Sequence, residues 1–198
     1  TFNISISDQK DCPRYIGALV NDVKVGPSPT WIQDRLIAAG QRPINNLVDI
    51  SNYVLMEMGQ PTHIFDWDKV NSDEILIRRA NKNESITTLD QDLYKLNENN
   101  LLITDGDKPI AVAGVMGGFN SAVNEETKTI FIESAYFDPI LIRKSSKSLL
   151  LSTEASKRYE RGADPQGALT AFWKIINLIE KYAAVSYTHL RAHETDRY

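Results

Sequence analysis

The sequence is poor in cysteine and has no excess of positive charge, and each shortage excludes a class of protein. Its single cysteine, Cys12, cannot form an internal disulfide, which argues against a disulfide-stabilised secreted domain. No Cys/His cluster has the spacing of zinc ligands, so no metal site is expected. The formal net charge of −4 excludes the broad basic surface of a nonspecific nucleic-acid-binding protein, so any RNA contact should be local.

Long apolar runs are also missing. None approaches the roughly 20 residues of a membrane span, and Thr1 begins no signal peptide. We therefore expect a cytoplasmic protein that makes no contact with a membrane. The chain does not start with methionine, which favours a fragment of a longer protein, although processing would leave the same end.

What is present is the balance of an ordinary globular domain, with 42% hydrophobic and 24% charged residues. A strand with a bulge is predicted over residues 15–25, where apolar alternation changes register. A helix follows, with Ser28 as its N-cap, Pro29 at its first position and Gly40 as its stop. Its predicted apolar face consists of Ile32, Leu36 and Ile37.

A second helix is predicted from Asn46 to Met58, capped by Asn46 with Asp49 and closed by Gly59. Short extended runs then alternate with turn residues, which predicts a largely antiparallel sheet. These runs cover residues 74–80, 85–89, 93–96, 101–104, 110–113 and 128–134. Two helices end the pattern, one after Asp138-Pro139 to about residue 147 and one over residues 165–184. The order predicts an α+β fold, a mixed, largely antiparallel sheet with flanking helices.

The last residues do not continue the apolar face of the final helix. Residues 185–198 include SYTHLRAHETDRY, which is similar to translated sequencing-adapter read-through. We predict that residues 185–198 form a foreign or disordered tail. His189 and His193, which are spaced like ligands on a helix, are therefore given no function.

Four segments carry side chains or backbone that could perform chemistry. In the first, a helix presents Ser51 and Asn52 before a Gly-Gln-Pro turn that leads to His63. A lone histidine between apolar residues is more often a structural side chain than a catalytic one, so His63 has both interpretations. In the second, glycines follow a short apolar strand at Gly114, Gly117 and Gly118. They fit a tight hairpin, which we favour from the residues alone, or a backbone that approaches a ligand.

Charged residues mark the other two segments. Glu133 interrupts the apolar strand TIFIESAYF, and its burial would cost several kcal/mol unless it is paired. It either faces water at a sheet edge or faces a pocket, where it would read a ligand hydroxyl. In STEASKRYERGADP, Lys157, Arg158 and Arg161 stand beside acidic residues, as in a salt-bridged helix cap. A local basic site for a tRNA acceptor end is the weaker alternative.

Together these segments resemble the B3/B4 (editing) domain of the bacterial phenylalanyl-tRNA synthetase β subunit. The similarity runs in order through CPRY, VGPSPTWIQDRL, RPINNLVDISNYV, GQPTHIFD, AVAGVMGG, FIESAYF and RYERGADP. It covers nearly all of the chain up to about residue 184. The resemblance implies a B3/B4-type fold over residues 1–184, built of two interleaved subdomains, with an editing pocket at their interface.

The resemblance also implies which residues form that pocket. The family's pocket histidine falls on His63 and its pocket glutamate on Glu133. The strand-turn wall falls on Ala113 and Gly114 and continues into Met116, Gly117 and Gly118, while the helix-side polar positions fall on Ser51 and Asn52. Serine at position 51 keeps the hydroxyl of the threonine found in many members.

The function implied is post-transfer editing, the hydrolysis of tyrosine wrongly attached to tRNA(Phe). A site shaped for phenylalanine rejects one added hydroxyl by only about two powers of ten, so proofreading must supply the rest. We expect Glu133 to accept the phenol proton and His63 to fix the ring or the phenol. Backbone N–H groups near residues 114–118 would hold the ester and the water, because no Ser-His-Asp or Cys-His arrangement is evident.

No metal or cofactor is implied for this segment itself. ATP and Mg²⁺ would belong to the holoenzyme, whose α subunit forms an α2β2 heterotetramer with β in this family, and the 3′ end of tRNA(Phe) would be the substrate. Two alternatives remain open. One is a noncatalytic module that positions tRNA, and the other is a free-standing B3/B4-like tRNA-binding protein.

Overall fold

The computed structural model describes residues 2–183 and the backbone of the strand at residues 191–195. Eleven strands, five α-helices and two short 3-10 helices are present in this part of the chain. In chain order the strands and α-helices are β1 Asn3–Ile6, β2 Arg14–Val20, α1 Thr30–Ala38, α2 Asn46–Met58, β3 Thr62–Asp66, β4 Glu74–Arg79, β5 Ser85–Thr87, β6 Leu93–Lys95, β7 Leu101–Thr104, β8 Pro109–Val112, β9 Met116–Gly117, β10 Ile130–Tyr136, α3 Pro139–Leu149, α4 Glu154–Tyr159, α5 Gly167–Tyr182 and β11 Arg191–Thr195.

Within the described residues the strands form two main sheets and a small ribbon. One sheet has the order β1-β4-β7-β8-β9, the other has the order β11-β2-β10-β3, and β5 pairs with β6. The pair β1–β4 is parallel, whereas the other strand pairs in these sheets are antiparallel. The predicted α+β fold with a mixed, largely antiparallel sheet is therefore confirmed.

The sheet that contains β10 separates two hydrophobic cores, because successive side chains of a strand point to opposite faces. Ile130 and Ile132 pack with α2 and α5 on one face. Phe131 and Ala135 pack on the other face against residues of the first sheet, such as Ile77 and Ile103. Glu133 shares the parity of Phe131 and Ala135, so its carboxylate lies between the two sheets.

Local capping differs from the sequence prediction at several points. Strand β2 ends at Val20 and does not continue to residue 25, because Asp22 adopts a left-handed conformation with φ of 55°. Ser28 does not cap α1, since its hydroxyl donates to Asp49 Oδ2 at 2.6 Å and Pro29 occupies the N-cap position. Ile37 was predicted to share the buried face but is 59% exposed.

The second helix has the predicted bounds, but its cap is shifted by one residue. Asn45, and not Asn46, accepts from the Val48 amide at 3.0 Å. Asp49 bonds back to the amide of Ile44 at 2.7 Å, and Gly59 closes the helix in a left-handed conformation, as predicted.

Strands β1, β3 and β9 and helix α4 were not predicted, and the last long helix starts at Gly167 instead of residue 165. Of the predicted tail, residues 185–190 and 196–198 lie outside the described residues. Strand β11 pairs antiparallel with β2, from Arg191 opposite Leu19 to Thr195 opposite Tyr15. That the tail is foreign, and that residues 1–184 form two interleaved subdomains, stay predictions.

Candidate active site

A narrow chamber and a wider groove meet between the two main sheets. The chamber has a volume of about 60 Å³ and is lined by residues of β3, β10, α4 and the β8–β9 hairpin. The groove has a volume of about 650 Å³ and is bounded by α2, β3, the same hairpin and the start of α4. His63, Met116 and Gly117 line both spaces, so the chamber and the groove adjoin.

Glu133 lines the chamber but not the groove. In the sheet it stands opposite Gly17 of β2 on one side and His63 of β3 on the other. The side chain is only 4% exposed, and its Oε2 accepts a hydrogen bond from the Tyr15 hydroxyl at 2.8 Å. Burial raises the pKa of Glu133 to about 7, an effect that the Tyr15 hydrogen bond opposes. The carboxylate can therefore accept or donate a proton near neutral pH.

His63 faces the same chamber from the neighbouring strand. Its ring packs edge-on against Phe65, with the centroids 4.5 Å apart. Within residues 2–183 neither imidazole nitrogen is hydrogen-bonded to protein, and burial lowers the pKa of His63 to about 4. The imidazole is therefore neutral at pH 7 and keeps one donor and one acceptor for a ligand.

The glycines of the hairpin serve different purposes. Gly114 has φ of 65°, which supports the tight-turn interpretation at this position. A Cβ on Gly117 would lie 2.6 Å from two imidazole atoms of His63, so this glycine makes room for the histidine. The Gly118 amide donates to the Ile110 carbonyl at 2.8 Å, and Gly118 lines neither the chamber nor the groove.

The remaining predicted residues divide between the two spaces and the core. Ser51 and Asn52 line the groove, and the Ser51 hydroxyl lies 3.0 Å from Thr62 Oγ1. Gly114 lines the chamber, whereas Ala113 is fully buried in the hydrophobic core and lines neither space. The structure thus brings five of the predicted residues together at the chamber: His63, Glu133, Gly114, Met116 and Gly117. Ser51 and Asn52 lie at the groove, whereas Ala113 and Gly118 line neither space.

Sequence reasoning missed two tyrosines at the site. Tyr15 holds the carboxylate of Glu133, and Tyr159 of α4 lines the chamber next to Gly114. The Tyr159 hydroxyl donates to the carbonyls of Ala135 at 3.1 Å and Pro61 at 3.3 Å. A glutamate in an apolar strand needs a hydrogen-bond donor if it is buried, so the sequence indicates that Glu133 has a partner. It does not show which residue this is, because the cross-strand register that brings Tyr15 to Glu133 is not visible in the sequence.

The charged segment at residues 152–165 contains α4. Thr153 and Ser156 form a capping box, and Glu154 pairs with Lys157 at 3.0 Å and with Arg158 at 2.7 Å. The salt bridges of this segment agree with the prediction of a salt-bridged helix cap, although the helix itself was not predicted. Thr153 and Glu154 themselves lie at the rim of the groove.

Two features are absent from the described residues. No group of three or more His, Cys, Asp or Glu side chains there is arranged to hold a metal ion. No helix in that part of the chain combines the length and apolar character needed to cross a membrane.

The chain belongs to the B3/4 domain family, because the family model of this description matches residues 11–184. The phenylalanine–tRNA ligase β subunit of Carboxydothermus hydrogenoformans is 49% identical over 177 residues, which cover 89% of this chain and 22% of that protein. The β subunit of Geobacillus kaustophilus is also 49% identical, over 91% of this chain and 22% of its own length. The chain thus spans about a fifth of the curated relatives it matches.

A solved structure shows the same fold at much lower identity. It is an N-terminal fragment of the phenylalanyl-tRNA synthetase β subunit from Pyrococcus horikoshii, with a TM-score of 0.51 and 15% identity. The match covers 78% of this chain and 48% of the solved chain. The resemblance inferred from the seven sequence blocks is therefore confirmed at the level of family and fold.

Proposed function

We propose that this chain is the editing module of a phenylalanyl-tRNA synthetase β subunit and hydrolyses tyrosine wrongly esterified to tRNA(Phe). The observation that carries the proposal is the nearly inaccessible carboxylate of Glu133 in the wall of the chamber. One of its oxygens is held by Tyr15, and Glu133 itself lines the chamber. The similarity to phenylalanine–tRNA ligase β subunits supplies the substrate class.

The size of the chamber supports a role for Glu133 in recognising the phenol hydroxyl of the substrate. Its volume of about 60 Å³ is well below the roughly 150 Å³ of a cavity that holds benzene. The tyrosine ring would therefore lie at the junction with the groove, beside His63 and Met116, with its hydroxyl directed at Glu133. Phenylalanine would leave the carboxylate without this partner, and an unpaired buried polar group costs about 1–3 kcal/mol.

The ester and the terminal adenosine would occupy the groove, where Ser51 and Asn52 provide polar contacts. Water adds to the ester carbonyl carbon, the bond from that carbon to the ribose oxygen breaks, and the ribose oxygen takes up a proton. Backbone N–H groups of the hairpin near Gly114 and Gly117 would stabilise the developing oxyanion. Because no Ser or Cys side chain is hydrogen-bonded to His63 in the described residues, direct attack by water, assisted by the ribose hydroxyl, fits the site better than a covalent intermediate.

The whole enzyme would contain further parts that this chain lacks. The β subunit would act with an α subunit in an α2β2 heterotetramer, in the cytoplasm, with the 3′ end of tRNA(Phe) as ligand. ATP and Mg²⁺ would serve aminoacylation outside this chain.

The direct test uses the full β subunit together with α and compares tyrosyl-tRNA(Phe) with phenylalanyl-tRNA(Phe). We expect release of tyrosine to exceed release of phenylalanine by at least about tenfold, as the loss of one buried hydrogen bond predicts. If neither ester is hydrolysed while the tRNA still binds, the domain is a positioning module and the proposal is wrong.

A further inference from the structure

Tyr15 is as deeply buried as Glu133 and is fixed by its packing. It is the second residue of β2, it has no exposed surface, and its ring packs against Phe137 with the centroids 6.5 Å apart. Tyr15 stands opposite Ala135, two residues from Glu133 on the same face of the sheet. The hydroxyl reaches diagonally across this step to Glu133 Oε2 at 2.8 Å.

The residue opposite Glu133 on β2 has no side chain that could stand between Tyr15 and the carboxylate. It is Gly17, and a Cβ there would lie 2.4 Å from the ring of Phe131. The ring of Phe131 thus fills the place of a side chain at position 17, and no side chain separates Tyr15 from the carboxylate. The geometry is that of a fixed donor aimed at one oxygen of a buried acid.

We infer that Tyr15 is a positioning residue for substrate selection: its hydroxyl holds one carboxylate oxygen of Glu133 and thereby directs the other oxygen at the phenol of the substrate. The inference rests on the proposed function, because it assumes that Glu133 reads the phenol. Tyr15 does not line the chamber or the groove, so it acts through Glu133 and not by touching the ligand.

Tyr15 also affects the pKa of Glu133, because the other titratable groups around this carboxylate carry no charge at pH 7. The titratable side chains that face the carboxylate are Tyr15 from β2, His63 from β3, Tyr159 from α4 and Cys12 from the loop before β2. Burial raises the pKa of Cys12 and of Tyr159 and lowers that of His63, so all of them are neutral at pH 7. Loss of the Tyr15 hydroxyl should therefore raise the pKa of Glu133 further.

The test variant is Tyr15→Phe, which removes the hydroxyl and keeps the ring. Tyr53→Phe is the matched control, because the Tyr53 hydroxyl also donates to a glutamate, Glu57, at 2.6 Å, on a helix outside the chamber. We expect Tyr15→Phe to lower kcat/KM for tyrosyl-tRNA(Phe) about tenfold, as loss of a hydrogen bond to a charged group predicts. The pH midpoint of hydrolysis should move to higher pH, and Tyr53→Phe should change neither quantity.

A double-mutant cycle separates positioning from a general loss of structure. In the background Glu133→Ala, adding Tyr15→Phe should change kcat/KM less than twofold, because the group through which Tyr15 acts is gone. Equal losses in both backgrounds would overturn the inference, as would an unchanged pH midpoint in Tyr15→Phe. These outcomes differ from failure of the proposed function, in which the parent enzyme itself releases no tyrosine.

Thermal unfolding checks that Tyr15→Phe is folded. If it is not, 3-fluorotyrosine introduced at position 15 replaces it, since it keeps the shape of the ring and makes the hydroxyl a stronger donor. The midpoint should then move to lower pH. A midpoint equal to that of the parent would overturn the inference.

Discussion

The polar side chains on the two faces of the sheet formed by β2, β10 and β3 differ in how far the protein satisfies their hydrogen bonds. On the helix-covered face, Ser134 donates to the Ala168 carbonyl at 2.8 Å, and the nearby carboxylate of Asp49 accepts from Ser28 and from the Ile44 amide. On the chamber face, Glu133 accepts one hydrogen bond and His63 makes none within the described residues. Structural polar groups have their hydrogen bonds satisfied by the protein, whereas the chamber keeps capacity for a ligand.

This difference has an energetic consequence that can be measured. Asp49 and Glu133 are both nearly inaccessible, at 1% and 4% exposure. Removing an acceptor that satisfies buried donors destabilises a fold, while removing a poorly compensated buried charge stabilises it. The two carboxylates should therefore respond to substitution with opposite signs.

The largest effect is expected for Glu133→Gln above pH 7. The folded-state pKa of about 7 lies above the ordinary value of 4.5, so Glu133 favours folding below pH 4.5 and this contribution is lost as pH rises to 7. Relative to the parent, the variant should gain about 3 kcal/mol between pH 4.5 and 8, at 1.36 kcal/mol per pKa unit. Urea unfolding at a series of pH values measures this gain.

His63→Gln provides the control with the opposite sign. The folded-state pKa of His63, about 4, lies below 6.5, so its contribution to stability is present above pH 6.5 and is lost as pH falls towards 4. Relative to the parent, this variant should lose stability as pH rises from 4 to 6.5. Parallel curves for the parent and both variants would contradict the assigned environments.

Asp49→Ala should destabilise the protein by about 2 kcal/mol at pH 7, because it leaves the Ser28 hydroxyl and the Ile44 amide without their acceptor. The same urea experiment measures the change. A neutral or stabilising result would show that the carboxylate on the helix-covered face does not stabilise the fold through its hydrogen bonds.

Gly117→Ala should have the smallest effect on stability, about 1 kcal/mol, and a clear effect on activity. The new Cβ would lie 2.6 Å from the imidazole of His63 and must displace it. We expect hydrolysis of tyrosyl-tRNA(Phe) to fall about tenfold, as for loss of one well-placed hydrogen bond. Gly26→Ala is the control, since nothing lies within 4 Å of a Cβ at that position, and it should leave the rate unchanged.

Elements with local signals could be predicted from the sequence. Helix α2 has a polar residue before it, apolar residues at helical spacing and Gly59 after it, and its predicted bounds agree with the structure. The apolar alternation of β10 is visible in the sequence, and it puts Glu133 on the same face as Phe131, which is the chamber face. Strands β3 and β9 were missed because each is short and follows turn residues, so neither shows a clear period.

Tertiary partners could not be predicted. Ser28 has the residue type and position of an N-cap, but Asp49, 21 residues later, takes its hydroxyl. Tyr15 and Glu133 are 118 residues apart, and only the register of β2 against β10 brings them together. The resemblance placed Gly118 at the site, yet its amide donates to the Ile110 carbonyl and the residue lines neither the chamber nor the groove.

The most direct test of the central claim is the selectivity of Glu133→Ala in the full β subunit with α. Glu57→Ala is the matched control, because Glu57 also accepts a hydrogen bond from a tyrosine but lies outside the chamber and the groove. The measured quantity is the ratio of tyrosine release to phenylalanine release from tRNA(Phe). We predict that this ratio falls about tenfold in Glu133→Ala and is unchanged in Glu57→Ala. An unchanged ratio in Glu133→Ala would contradict the assignment of Glu133 as the reader of the phenol.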